Sequence, residues 1–174
     1  MYDERRNPTG RIGERSKVHS EGLWHRTVHI WIYKDNSLLL QMRSKHKESF
    51  PGLWDVSAAG HVETGEEPLT TAIREIKEEL GFEVHTNLIR FVDVKQFSLT
   101  SQNGKFINNE ITHIFTHEFR GSLNDIVPNP FEVEQLKFFD IDHLENLLGN
   151  SKTRKEFVPY DNSYYKWILR QIKI

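Results

Sequence analysis

Four carboxylates set the chemistry open to this chain: Glu66, then Glu75, Glu78 and Glu79, in the stretch at positions 60–82 that reads GHVETGEEPLTTAIREIKEELGF. The spacing predicts one helix from Pro68 to Leu80. Pro68 suits a first turn, Thr64 or Gly65 can cap the start, and Gly81 stands where a left-handed stop is wanted. At about 100° per residue, Glu75, Glu78 and Glu79 share an arc of roughly 100°. Leu69, Ala72, Ile73, Ile76 and Leu80 form a separate apolar arc for the core. Like charges at i,i+4 repel by a few tenths of a kcal/mol, roughly, and only Arg74 offers local relief. A divalent cation would remove the rest, since hard cations such as Mg²⁺ take a few carboxylates plus water and substrate phosphate. A solvated acidic face is the commoner meaning of such a cluster. The glycine-punctuated GHVETGE loop, where backbone can approach the same point, argues against it here.

The elements that must position these groups read as a mixed α and β chain. HRTVHIWIY and SLLLQMR flank Lys34-Asp35-Asn36 as a hairpin, its second strand buried on both faces near Leu38–Leu40. Arg43, Lys45 and Lys47 follow as a short basic cluster, and Arg43 and Lys47 are placed to meet a phosphorylated ligand. Trp54 to Ser57 reads as a short strand, and Ala58-Ala59-Gly60 keeps the backbone bare. Asn103-Gly104 joins two further strands, the second carrying Glu110. LKFFDI is a last strand, followed by a short helix at 142–148 and a closing helix over 160–173. Residues 1–22 read as a hairpin around 7–10 or a loose arm. Phe50, Trp54, Trp24, Trp31, Phe97 and Phe106 are assigned to core or scattered surface before any ligand-stacking role. The expected fold is a single α+β domain over 1–174, a mixed sheet with helices on its faces.

Composition narrows the function. A net charge of −2 gives no case for a nucleic-acid polymer as partner. The absence of cysteine removes disulfides, thiolate metal sites and any cysteine nucleophile. No apolar run resembles a signal peptide or a membrane span, so the expectation is a cytoplasmic protein with no membrane partner. A homodimer is compatible with the sequence but not required by it.

The stretch at 60–82 resembles the Nudix box, G-x5-E-x7-R-E-U-x-E-E-x-G-U, with Gly60, Glu66, Arg74, Glu75, Ile76, Glu78, Glu79, Gly81 and Phe82 at every specified position. The resemblance implies an α/β/α sandwich around a mixed sheet and a hydrolase that cuts a small-molecule diphosphate with Mg²⁺ or Mn²⁺. It implies Glu78 and Glu79 as principal metal ligands, Glu75 as helper ligand or base, and the Gly60 carbonyl as a backbone ligand. Glu66 and Arg74 would brace loop against helix, Glu66 with a further chance of touching metal. The base remains open among Glu75, Glu79, Glu110, Glu132 and Glu134, with Glu75 preferred.

LWHRTVHIWIY, QMRSKHKESFPGLWDVSAAGH and NNEITHIF also resemble the isopentenyl-diphosphate isomerase branch of that superfamily. In that branch Arg43 and Lys47 would match residues that hold the diphosphate. His19, His25 and His61 would match metal-binding histidines, and Glu110 an acidic partner of catalysis and metal binding. The departures are Ala59 where the isomerases place their catalytic cysteine, and Asn108 where they place a carboxylate ligand. The expected activity is therefore water attack on a diphosphate. A non-catalytic diphosphate sensor is the alternative, and isomerisation is disfavoured. Substrate identity, whether nucleotide, nucleotide sugar or isoprenyl diphosphate, rests in loops that residue types do not decode.

Overall fold

The computed structural model describes residues 1–172. The last expected helical position, Lys173, lies outside the described residues. β1 (His25–Lys34) and β2 (Ser37–Arg43) form the expected hairpin, and Leu38, Leu39 and Leu40 are all buried. The two strands pair only at Tyr33↔Leu38 and Lys34↔Ser37. Beyond that point β2 diverges, and β4 (Ala58–His61) takes the same edge of β1 from Thr27 to Ile30. The expected bare segment at 58–60 is thus a strand. At the fork, the Ile32 N–H donates to Ser57 Oγ at 2.8 Å, and that hydroxyl donates onward to the Leu39 carbonyl. One serine closes the gap where neither strand reaches.

β3 (Trp54–Asp55) lies against β2 on the fork side, shorter than the expected strand. β5 (Ile89–Ser101) and β6 (Phe106–Glu118) make a long antiparallel hairpin, turning through Asn103 in the left-handed region at φ 54°. β6 runs parallel to β1, which sets His25 opposite Glu110. β7 (Val133–Asp140) completes a seven-stranded mixed sheet by pairing with β2.

Alternation along β1 sorts the core into two layers. Trp31 faces α3 (Ile141–Gly149) and α4 (Asn162–Ile172), with Leu38, Leu40, Tyr164, Ile168 and Leu169. Val28, Ile30 and Ile32 face the opposite layer, against Ala72, Ile76 and Leu80 of the box helix. The result is the expected helix–sheet–helix sandwich. Two expectations change. Residues 15–20 form a short helix, α1, within the segment expected to be a hairpin or arm, whose bridge Tyr2↔Pro8 is also present. The last helix begins at Asn162, which leaves Tyr160 on the extended segment ahead of it.

The box helix also departs from one regular rod. α2 spans Pro68–Glu75, and a π-helical turn carries Ile76–Leu80. Glu67 occupies the N-cap rather than Thr64 or Gly65, and its side chain makes no capping bond. The acidic residues do not share one exposed arc. Glu79 is buried while Glu78 is exposed. Gly81 ends the turn at φ 74°, and a Cβ there would stand 2.3 Å from the Val127 carbonyl oxygen. We expect Gly81→Ala to lower stability by about 1–3 kcal/mol in urea titrations, from strain plus a clash with rigid backbone. Gly104→Ala, at φ 90° with nothing near its Cβ, should lose only the conformational part. Equal losses would contradict the clash.

Candidate active site

The box carboxylates meet β4 edge-on. Glu79 Oε2 accepts from Gln41 Nε2 at 2.9 Å and from the Ala59 N–H at 3.1 Å, while Oε1 faces Lys47 Nζ at 3.6 Å. Burial raises the Glu79 carboxyl above its ordinary range, against the opposing pull of Lys47. Glu75 lies over Gly60, where a Cβ would stand 1.9 Å from the carboxyl carbon. Only glycine admits that approach. Burial, and then the neighbouring Glu79, push the Glu75 carboxyl up to about 7.

Arg74 answers the crowding. Its guanidinium donates to Glu66 at 3.2 and 3.1 Å, Glu75 at 2.8 Å, Glu78 at 2.9 Å and the His61 carbonyl at 3.1 Å. Glu66 also accepts from the Thr71 hydroxyl at 2.7 Å, so one side chain fixes loop, strand and helix together. Lys47 contacts Glu132 as well as Glu79. Arg43 is used more locally: Nη1 bonds Asp55 at 2.8 Å, while Nε and Nη2 hold Ser49 at 2.9 and 3.0 Å. Three of its five donors thus shape the loop after β2.

A second donor set begins at His61, the residue after Gly60. One ring nitrogen from each of His19, His25 and His61 falls within 4.8 Å of the others. His19 comes from α1, His25 from the start of β1, and His61 from the end of β4. Burial lowers all three from the usual imidazole range, His25 to about 4, so they stand neutral with lone pairs available. His25 Nε2 is buried with no hydrogen-bond partner among the described residues and faces Glu110 Oε1 at 3.9 Å. Burial, and then Asp55, push the Glu110 carboxyl up to about 7. An orphaned imidazole nitrogen among two others and a carboxylate fits a cation.

One cavity of about 1130 Å³ joins the two sets. Arg43, Lys47, Gly60, His61, Arg74, Glu75, Glu78, Glu79 and Glu110 all line it. Glu66 does not and acts from behind Arg74. Among the further base candidates, Glu132 lines the cavity, whereas Glu134 is outside it and pairs with Lys45 at 3.6 Å. Phe106 lines the cavity and stacks on His19 with ring centroids 4.2 Å apart. Three lining residues carry no local signal in the sequence: Asp55, Tyr160, and Arg15, which approaches His61 Nδ1 at 3.4 Å.

A family model for the NUDIX domain matches residues 23–161. Nudix hydrolase 3 of Arabidopsis thaliana is 37% identical over 88% of this chain, but the match spans only 20% of that longer protein. An uncharacterised Nudix hydrolase of Clostridium acetobutylicum is 31% identical over 99% of this chain and 95% of its own length. An isopentenyl-diphosphate Delta-isomerase of Pectobacterium atrosepticum is 32% identical over 83% of this chain and 76% of its own. A crystal structure from Deinococcus radiodurans has the same fold, with a TM-score of 0.69 at 20% identity over 98% of this chain and 95% of that one.

The Glu110 carboxyl gives a pH signature. Its value is about 7 when folded against an ordinary 4.5, so the folded chain holds a proton that the unfolded chain has released between those values. Its stabilising contribution is complete below pH 4.5 and is lost as pH rises to 7. Glu110→Gln should therefore gain on the wild type across that window in urea titrations with chelator present, and keep the gain at higher pH. A difference independent of pH would refute this.

Proposed function

The chain belongs to the NUDIX domain family, and from that premise we propose that it is a Mg²⁺- or Mn²⁺-dependent hydrolase that cleaves the diphosphate bond of a small molecule by attack of water on phosphorus. The observation that carries this reading is the convergence of Glu75, Glu78 and Glu79 on the Gly60 edge of a cavity that also presents Lys47. The donor set fits a hard cation: carboxylate oxygens, and a backbone stripped of side chain at Gly60. Glu78, Glu79 and the Gly60 carbonyl would hold it, which leaves Glu75 to act as base. Such a cation, when bound, offsets diphosphate charge and makes water in the site more acidic.

The chain's own residues account for the rest. Lys47 offers an ammonium to the diphosphate oxygens, and Arg43 adds the donors that Asp55 and Ser49 leave free. Glu75, with a carboxyl near 7, is matched to accept a proton from the attacking water at neutral pH. Arg74 keeps Glu75 and Glu78 in place and supports Glu66 behind them. His19, His25 and His61, with Glu110, would take a second cation of the borderline type that imidazole suits.

The isomerase relative shares this framework, but the position on β4 that would supply an acid is Ala59. A methyl group carries no exchangeable proton, which leaves hydrolysis as the reaction this donor set can perform.

A panel of nucleotides, nucleotide sugars and isoprenyl diphosphates, read by phosphate release after phosphatase treatment, tests the reading. Turnover of a member, reduced by roughly a thousandfold or more in Glu79→Gln, is the expected result. Tight binding without turnover would make the protein a sensor instead. Mn²⁺ titration followed by electron paramagnetic resonance should show two classes of site in the wild type and one in His25→Gln. An unchanged count would remove the histidine site from the account.

A further inference from the structure

Beyond the box, a buried chain of hydrogen bonds ends at the cavity wall. Trp31 Nε1 donates to Tyr164 Oη at 2.9 Å. Tyr164 Oη lies 2.9 Å from His29 Nδ1, and His29 Nε2 lies 3.3 Å from Tyr160 Oη. All four side chains are buried, and Tyr160 and His29 line the cavity. The proton directions can be deduced. Trp31 can only donate, so it fills one acceptor position of Tyr164. The Tyr164 proton then has His29 Nδ1 as its acceptor. If His29 instead carried its proton on Nδ1, Tyr164 would accept twice and its own buried O–H would have no acceptor among the described residues, a full desolvation loss. His29 is neutral, because burial holds it near 4. Its single proton therefore sits on Nε2 and points at Tyr160 Oη. Tyr160 accepts, and its own O–H is left to donate into the cavity.

We propose that Tyr160 is a substrate-recognition residue whose fixed hydroxyl donates to an oxygen on the group attached to the diphosphate, so that this group is oxygen-bearing rather than a bare hydrocarbon. The attached group is the assigned acceptor for two reasons. His29 and Trp31 stand on the α4 face of the sheet, while the box helix packs on the other, so Tyr160 lies across the sheet from the acidic cluster. Asp55 and Glu110 adjoin Tyr160 and outweigh the nearby Arg43, whose guanidinium is already paired with Asp55, so the net field there favours a neutral oxygen over a phosphate oxygen. A donor with no other acceptor within hydrogen-bond distance among the described residues selects strongly, since a ligand lacking the matching oxygen leaves the O–H buried and unpaired.

The proposal deepens the hydrolase reading and rests on it for its kinetic test, whereas the proton direction can be measured without any activity. In the wild type, ¹⁵N NMR of His29 is expected to show Nε2 protonated and Nδ1 bare; the reverse tautomer would overturn the donor assignment. For kinetics, Tyr160→Phe is compared with the wild type on an oxygen-bearing substrate, a nucleotide sugar, and on a simple alkyl diphosphate. Loss of roughly tenfold or more in kcat/KM on the first, with the second unchanged, is expected. Equal effects on both, or wild-type preference for the alkyl compound, would overturn the recognition role. A wild type inactive on every diphosphate would sink the hydrolase reading while leaving the tautomer result standing.

Discussion

The guanidinium of Arg74 is the constraint on which the site depends. Three glutamates brought to one edge of a strand, with two of them buried, repel one another, and desolvation raises the cost further. Arg74 sits between Glu66, Glu75 and Glu78 and also reaches the His61 carbonyl on β4. The helix is thereby tied to the strand it must face, and Glu75 is pressed onto the one residue without a side chain. Lys47 performs the corresponding service for Glu79 from the opposite wall. Neither contact is a surface ion pair of negligible worth, because each compensates a carboxylate that water no longer reaches.

The sequence revealed the parts of the site that are local. Glu66, Arg74, Glu75, Glu78 and Glu79 lie within fourteen positions of one another, so helical spacing and a motif suffice to group them. The strands of the central hairpin and the Asn103 turn were legible for the same reason. The far wall was not. Asp55 and Tyr160 had no such signal, and they meet Glu110, named from the resemblance and its placement, only after β1 and β6 have paired in parallel and the segment after α3 has crossed back over the sheet. The three histidines come from three separate elements, and only resemblance to a family grouped them. The helix at 15–20 escaped because it is short and has little apolar periodicity. The π-helical turn escaped because a 3.6-residue period carries no sign of where one residue will be added to a turn.

The relation to the isomerases follows from the two donor sets. The histidine cluster with Glu110 and the box carboxylates line one cavity together with Gly60. The framework is shared with a chain 32% identical that bears an isomerase name, yet Ala59 offers no acid. The chain thus departs from the isomerase pattern at two positions, Ala59 on β4 and Asn108 on β6, and likeness of scaffold alone does not assign the reaction.

The fork between β2 and β4 has a consequence for exchange with solvent. Two strands divide one edge of β1, and a sheet that splits leaves a backbone amide uncovered. At Ile32 that amide is held by the Ser57 hydroxyl instead of by a neighbouring strand. The protection of a residue at the centre of the sheet is thus entrusted to the rotatable Cα–Cβ bond of one serine. Slow breathing of the fork, on the timescale that hydrogen–deuterium exchange reads, would begin with one side-chain rotation and would require no strand to unzip.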